Sequence, residues 1–189
     1  MRVIAGTARR VLLNVHQESE TRPFLEMARG ALFNALAAFV PEARVLDLYA
    51  GSGALGIEAL SRGAESAIFV EVDRKAQTVL RENLERCKLT GGRITPGFVQ
   101  GVLPGLKGEF DLIFLDPPFA DAAKWETLPE TETIVRETSR LLAPGGLLVF
   151  RFEQEKRQPP GWNPLELLRD RCYGRSRVCV YGRLESDGE

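Results

Sequence analysis

Two short apolar runs constrain this chain most, because each stops abruptly in residues that cannot continue a strand. Val45-Leu-Asp-Leu-Tyr49 runs into Gly51-Ser-Gly-Ala-Leu-Gly56, and Asp111-Leu-Ile-Phe-Leu-Asp116 runs into Pro117-Pro118-Phe119. Short continuous apolar runs bounded by turn signals read as strands buried on both faces. The segments between them carry helical spacing. Ala54 to Arg62 follows the glycines, Arg74 to Lys88 turns Val79, Leu80 and Leu84 inward, and Glu130 to Leu142 precedes Pro144-Gly145-Gly146. Further strands are expected at Ala67–Glu71, weakly at Thr95–Gln100, at Leu147–Phe152 and at Ser176–Tyr181. Strands alternating with helices predict an α/β, Rossmann-like fold with a doubly wound, mainly parallel sheet.

Ahead of this pattern lie two short strands around Gly6-Thr7, expected to form a hairpin, and a helix on Leu25, Ala28, Leu32, Phe33, Leu36 and Phe39 that Pro41 ends. The reading divides the chain into an N-terminal extension, 1–41, and a main domain, 42–189, within the 189 residues. No apolar run is long enough to cross a bilayer, and Met1-Arg-Val-Ile-Ala-Gly6 lacks the layout of a signal peptide. Cys87, Cys172 and Cys179 form no CxxC or Cys/His cluster. They are expected to be buried small apolar residues of a reducing, cytoplasmic compartment, with no metal site.

A net charge of -1 excludes a uniformly basic nucleic-acid binder. The charge is uneven, however. Residues 1–16 hold Arg2, Arg9 and Arg10 with no acid, and 156–177 hold six basic residues against Glu166 and Asp170. The two stretches would make a positive patch if they met, though charge alone favours two ordinary solvated faces.

The glycine loop has the form of a nucleotide-binding turn. Glycines allow a sharp bend and close approach of a ligand, and the helix behind offers free N–H groups. Glu71 closes the second strand, twenty residues after Gly51, where a carboxylate can accept ribose hydroxyls. NAD or FAD fits these features, as does S-adenosyl-L-methionine (AdoMet). Asp47, just before the glycines, favours AdoMet, which carries an ammonium where a dinucleotide carries a pyrophosphate. The chain also has little room for a dehydrogenase substrate domain. The expected cofactor contacts are Asp47, Tyr49, Ala50, Gly51, Ser52, Gly53, Gly56, Glu71, Val72 and Asp116.

Asp116-Pro117-Pro118-Phe119 follows the fourth strand and so faces the same crevice as the glycine loop. The prolines fix the backbone and remove two donors. Asp116 and the Pro117 carbonyl can accept the two N–H bonds of an exocyclic base amine, turning its lone pair toward a methyl donor. Phe119 can stack on the base. The reaction needs positioning, with no covalent intermediate and no metal. Asp116, Pro117 and Phe119 are the expected catalytic residues, with Pro118 beside them. His16 is expected at the surface, and Trp125 in a packing role.

The chain resembles the RsmD-type 16S ribosomal RNA guanine-N2 methyltransferases over nearly its whole length. The resemblance is carried by Arg2-Val-Ile-Ala-Gly6, Thr21-Arg22-Pro23, Arg29, Ala31-Leu-Phe-Asn34, the run Val45 to Ala64, Glu71, Asn83, Leu115-Asp-Pro-Pro-Phe119 and Tyr173-Gly174. It implies a seven-stranded class I methyltransferase fold, AdoMet as donor, and a guanine of 16S rRNA within the 30S subunit as acceptor. It further implies action on a base unstacked from its RNA, with Arg2, Arg9, Arg10 and Arg22 on the RNA, and a monomer is expected. Adenine-N6 and cytosine-N4 methylation, or a non-catalytic RNA-binding role, are the alternatives. Two stretches depart from the family pattern. Arg9-Arg10-Val11 stands where the family reads Arg-Gly-Arg. Phe24 and Glu26-Met-Ala-Arg29-Gly30 stand where it reads Thr and Asp-Arg-Val-Arg-Glu. Both lie near the presumed RNA face and leave the Asp-Pro-Pro-Phe motif intact.

Overall fold

A computed structural model describes residues 1–15, 26–118, 131–153, 159 and 161–183. Its elements run α1 (Glu26–Ala35), β1 (Arg44–Leu48), α2 (Ala54–Ser61), β2 (Ser66–Glu71), α3 (Arg74–Cys87), β3 (Gly92–Pro96) and α4 (Val99–Val102). A 3-10 turn, Leu103–Gly105, leads to β4 (Phe110–Leu115), α5 (Thr131–Leu141), β5 (Leu142–Glu153), β6 (Leu165–Tyr173) and β7 (Ser176–Arg183). The strands form one sheet in the order β3-β2-β1-β4-β5-β7-β6. The first five strands pair in parallel, and β7 pairs antiparallel with both β5 and β6.

Both faces of the sheet are buried, which is why β1 and β4 read as nearly unbroken apolar runs. On one face Val45, Phe69, Leu112, Phe114 and Val149 pack under α1, α2, α3 and the N-terminal segment. On the other, Leu46, Leu48, Ile113 and Leu115 pack under α4 and α5, with Trp162 and Tyr181. Helix α3 shows how sequence sets an element. The Asp73 side chain caps it by accepting from the Lys75 N–H at 2.7 Å. Ala76, Leu80, Leu84 and Cys87 form its buried stripe, and Lys88 ends it in the left-handed region, φ 53°.

The N-terminal segment is stitched to this framework. The Val3 N–H donates to the Val11 carbonyl (3.0 Å) and the Leu13 N–H to the Met1 carbonyl (2.9 Å) around an antiparallel bridge, Arg2–Leu12, and Val3, Ala8 and Leu13 are buried in the main core. The Glu58 carboxylate of α2 accepts the N–H groups of Ile4 (2.8 Å) and Ala5 (3.1 Å) and also binds Arg62. Arg29 is fully buried beside Glu58; it donates to the Arg2 carbonyl, while its Nε and Nη1 have no hydrogen-bond partner. Burial lowers the Arg29 pKa, and the charge of Glu58 opposes that shift. Arg10 adopts φ 71°. A side chain there costs about 1–2 kcal/mol that glycine would not.

Several expectations are corrected. The third strand ends at Pro96, and 99–102 are helical, so the strand lies about three residues earlier than its weak signal suggested. Helix α1 ends at Ala35, leaving Phe39 in a turn and half exposed. Pro144-Gly145-Gly146 does not separate helix from strand but bulges within β5. Leu142 pairs with Phe110 and Leu147 with Leu112, so residues 143–146 face only Asp111. Strand β6 has no counterpart in the sequence reading. Cys172 lies on that edge strand and is exposed, whereas Cys87 and Cys179 are buried as expected and all three are free thiols. Among the described residues, no helix is long and apolar enough to cross a membrane. His16, Arg22, Phe24, Phe119 and Trp125 lie outside the described residues.

Gly6 has φ 83°, and a Cβ on it would lie 1.6 Å from the Ser61 carbonyl oxygen. Gly6→Ala is therefore expected to lower stability by about 1–3 kcal/mol or more. The measurement is urea denaturation with hydrogen exchange at Ile4, Ala5, Thr7 and Ala8. An unchanged midpoint would show that the segment is not held against α2.

Candidate active site

The glycine loop leaves β1 through Tyr49, which holds φ 61°, an uncommon conformation for a side-chain-bearing residue and one often found at functional sites. Ala50 is anchored by its N–H to the Val70 carbonyl at 3.0 Å. Three glycines then serve three purposes. A Cβ on Gly51 (φ 54°) would meet nothing within 4 Å, so that position borders open space. A Cβ on Gly53 would strike Leu80 Cδ1 at 2.0 Å, and one on Gly56 would strike Phe69 Cε1 at 2.3 Å. The first glycine thus leaves the backbone open on one side, while the other two let α3 and β2 pack closely. The Ser52 carbonyl accepts from the Asn83 side chain at 2.9 Å.

Two carboxylates hold the loop by its backbone. Glu71 Oε2 accepts the Gly51 N–H at 2.7 Å, and Oε1 accepts the Asp73 N–H at 2.8 Å. Asp47 Oδ2 accepts the Gly56 N–H at 2.9 Å, in the first turn of α2. Asp47 is only 1% exposed. Burial pushes its pKa well above the ordinary aspartate value, the Gly56 N–H opposes this, and the charges of Asp116 and Glu71 add to it.

Asp116 follows β4, and its N–H reaches the Leu48 carbonyl at 3.4 Å. Strand parity sets it on the same face as Asp47, since Asp47 pairs with Phe114 in the β1–β4 register. Pro117 is buried and Pro118 half-buried behind it. The structure therefore brings the glycine loop, Glu71 and Asp116-Pro117-Pro118 together at the carboxyl ends of β1, β2 and β4. The half-buried Glu71 carboxylate at this crevice fits a ligand with hydroxyls better than a pyrophosphate.

Two exposed apolar residues flank the acids. Val72, expected from the sequence, is 45% exposed just after β2, and Phe98 is 64% exposed just after β3. Their chain neighbours are joined, since the Gly97 N–H bonds to the Glu71 carbonyl at 3.0 Å. Phe98 was missed, and the signal that could have found it was an aromatic directly after a glycine at a strand end.

The arginines sort differently. Arg9 and Arg10 are exposed, and with Arg2, Met27 and Asn34 they line a cleft of about 560 Å³ between the N-terminal segment and α1. Arg2 pairs with Glu26 at 3.5 Å. Arg177, from the second basic stretch, pairs with Asp170 at 2.5 Å, which reduces any patch there. Among the described residues, no group of three or more His, Cys, Asp or Glu side chains is placed to hold a metal ion.

Because the Asp47 pKa is raised on folding, the native state retains a proton that the unfolded chain releases. Stability is then lost as pH rises from the ordinary aspartate range through the raised value. Asp47→Asn keeps an acceptor for Gly56 and removes the charge. It should stabilise the protein at pH 7 by roughly 1–3 kcal/mol and flatten this pH dependence. Thermal unfolding between pH 4 and 8 checks it, and lower stability of the variant at neutral pH would contradict the assignment.

Comparison with known proteins agrees with the geometry. The family model described as Conserved hypothetical protein 95 matches residues 1–182. Ribosomal RNA small subunit methyltransferase D of Escherichia coli K12 is 33% identical over 189 residues, covering 100% of this chain and 92% of that protein. Its Haemophilus influenzae counterpart is 32% identical, covering 92% of this chain and 89% of its own length. An E. coli structure provisionally described as the methyltransferase yhhF superposes with a TM-score of 0.82 at 33% identity, covering 97% of both chains. The chain belongs to the Conserved hypothetical protein 95 (RsmD) family and has its Rossmann-like, AdoMet-dependent methyltransferase fold.

Proposed function

We propose that this protein transfers a methyl group from AdoMet to the exocyclic N2 amine of one guanine in 16S rRNA of the small ribosomal subunit, acting as a cytoplasmic monomer. One observation carries the reading. Asp116-Pro117-Pro118 and the Glu71-anchored glycine loop open on the same crevice at the carboxyl ends of β1, β2 and β4. The relatives named for small-subunit rRNA methylation support the substrate class.

AdoMet supplies a methyl group made electrophilic by a sulfonium. The remaining work falls to this chain. The open side of Gly51 receives the ligand, and Glu71, fixed by two backbone N–H groups, offers its remaining lone pairs to ribose hydroxyls. Val72 and Phe98 provide an apolar slot for adenine. Asp47, with Tyr49, Ala50, Ser52, Gly53 and Gly56, shapes the end that takes the amino-acid tail. Asp116 and the Pro117 carbonyl accept the two N–H bonds of the guanine amine, and Phe119 stacks on the base. As the N–C bond forms, the C–S bond breaks with its electrons passing to sulfur, and the nitrogen then loses a proton. Arg2, Arg9, Arg10 and Arg22 meet backbone phosphates, giving a salt-dependent affinity.

The direct test is transfer of labelled methyl to under-methylated 30S subunits, free 16S RNA and duplex DNA. Label on one guanine of the subunit supports the reading, whereas label on DNA adenine or cytosine keeps the methyltransferase and removes the substrate. Two variants test the roles. Glu71→Ala should weaken AdoMet binding by about 10–100-fold, the cost of losing charge-assisted hydrogen bonds of about 1.5–3 kcal/mol. Asp116→Ala should lower kcat by about 10²-fold or more with AdoMet affinity nearly unchanged. Calorimetry and turnover measured on the same preparations would expose a reversed pattern, which would sink both assignments.

A further inference from the structure

The carboxylate of Asp116 is held by a side chain that no sequence motif predicts. Arg151 lies on β5 one position beyond the Leu115–Phe150 pair, which sets it across from Asp116 on the neighbouring strand. Its Nε donates to Oδ1 at 2.5 Å, and its Nη2 donates to Oδ2 at 2.9 Å. Two parallel bonds of this kind fix the plane of a carboxylate as well as its position. The guanidinium is itself confined. Arg151 is 5% exposed, its Nη1 lies 3.5 Å from Ser176 Oγ, and its backbone is paired with Val178 of β7.

On each oxygen the fork uses the lone pair directed toward the guanidinium. One lone pair per oxygen is left, and these two diverge. A base amine can therefore meet Asp116 through one N–H along a fixed direction. Without the fork, the carboxylate would rotate about its Cβ–Cγ bond and present its converging lone pairs to amine or water. An ion pair at the other end of β4 makes the contrast. Asp111 and Arg44 form a similar fork at the amino end of the strand, away from the crevice, where it joins β1 to β4.

We propose that Arg151 is a positioning residue for methyl transfer. Its fork sets the plane of the Asp116 carboxylate, so that one outward lone pair takes one amine N–H while the Pro117 carbonyl takes the other. This rests on the reading of an exocyclic amine as methyl acceptor. It also assigns the proton. After the N–C bond forms and the C–S electrons pass to sulfur, the ammonium proton goes to water, and Asp116 keeps its pairing with Arg151 throughout.

The test measures kcat and AdoMet affinity for wild type, Arg151→Met, Arg151→Lys, Asp116→Ala and the Arg151→Met/Asp116→Ala double variant. The acceptor is whichever of 30S subunits, 16S RNA or duplex DNA the wild type labels. Arg151→Met should lower kcat by about 10–100-fold, the scale expected of a misplaced acceptor, with AdoMet affinity within about threefold. Arg151→Lys, which keeps charge but loses the fork, should fall between and serves if the Met variant does not fold. In the Asp116→Ala background, Arg151→Met should change kcat by less than about twofold, because the two residues act as one unit. Full activity in both Arg151 variants, an equal loss in both backgrounds, or a loss that tracks AdoMet affinity would each overturn the proposal. If the wild type labels a DNA amine, the RNA reading falls and the variant pattern alone decides for Arg151. No label on any acceptor removes both.

Discussion

A sheet covered by helices on both faces leaves charged groups one place to gather, at the strand ends. Burying an ionised side chain in the middle of β1 or β4 would cost several kcal/mol without a partner. The arrangement obeys that constraint. At the amino ends, Asp111 and Arg44 pair while still partly in water. At the carboxyl ends, Asp47, Glu71, Asp116 and Arg151 form the crevice. Parallel pairing makes this concentration possible, because it points β1, β2, β4 and β5 the same way and brings four separate stretches of sequence to one rim.

Within the rim, each carboxylate is restrained differently. Glu71 spends one lone pair per oxygen on backbone N–H groups and remains half-buried with capacity to spare. Asp116 is held by a cation instead, so its plane is fixed by a side chain on another strand. Asp47 keeps the Gly56 N–H bond in full burial, the least favourable of the three environments for a charge. A ligand bearing an ammonium would relieve it. Stability is thus lower around Asp47 than packing alone would allow, as expected where a site is preorganised for a partner of opposite charge.

The fold was legible because its strongest signals are local. The apolar runs of β1, β2 and β4 and the glycines can each be read within a few residues. The misses share a physical cause. Strand β6 is an edge strand with Glu166, Arg169, Asp170 and Arg171 along it, so it lacks the buried alternation that marks a strand. Strand β3 is the opposite edge and is correspondingly faint. The bulge at 143–146 hid because Pro144-Gly145-Gly146 spells a terminator wherever it occurs. In the site, the glycine loop, Glu71 and Asp116-Pro117-Pro118 were visible as motifs. Arg151 was not, because its role depends on the register of β4 against β5, which no spacing rule supplies. Phe98 was obscured in the same way, as its meaning comes from Gly97 bonding to Glu71 across two strands.

The N-terminal segment and the cofactor loop are parts of one mechanical unit, although they are far apart in sequence. Helix α2 begins at the glycine loop and ends at Ser61, whose carbonyl accepts the Thr7 N–H and whose hydroxyl accepts the Ala8 N–H. One turn earlier, Glu58 takes the N–H groups of Ile4 and Ala5. Asn83 makes the second link. Its side chain accepts the Asn14 N–H at 2.8 Å and donates to the carbonyls of Asn14 and Ser52 at 3.0 and 2.9 Å. Being fully buried, it has no water to replace a bond that breaks. A shift of the glycine loop would therefore be opposed by the same bonds that place Arg2, Arg9 and Arg10. The segment carrying Arg2, Arg9 and Arg10 is thus tied to the glycine loop through helix α2 and the Asn83 carboxamide, in addition to its contacts with α1.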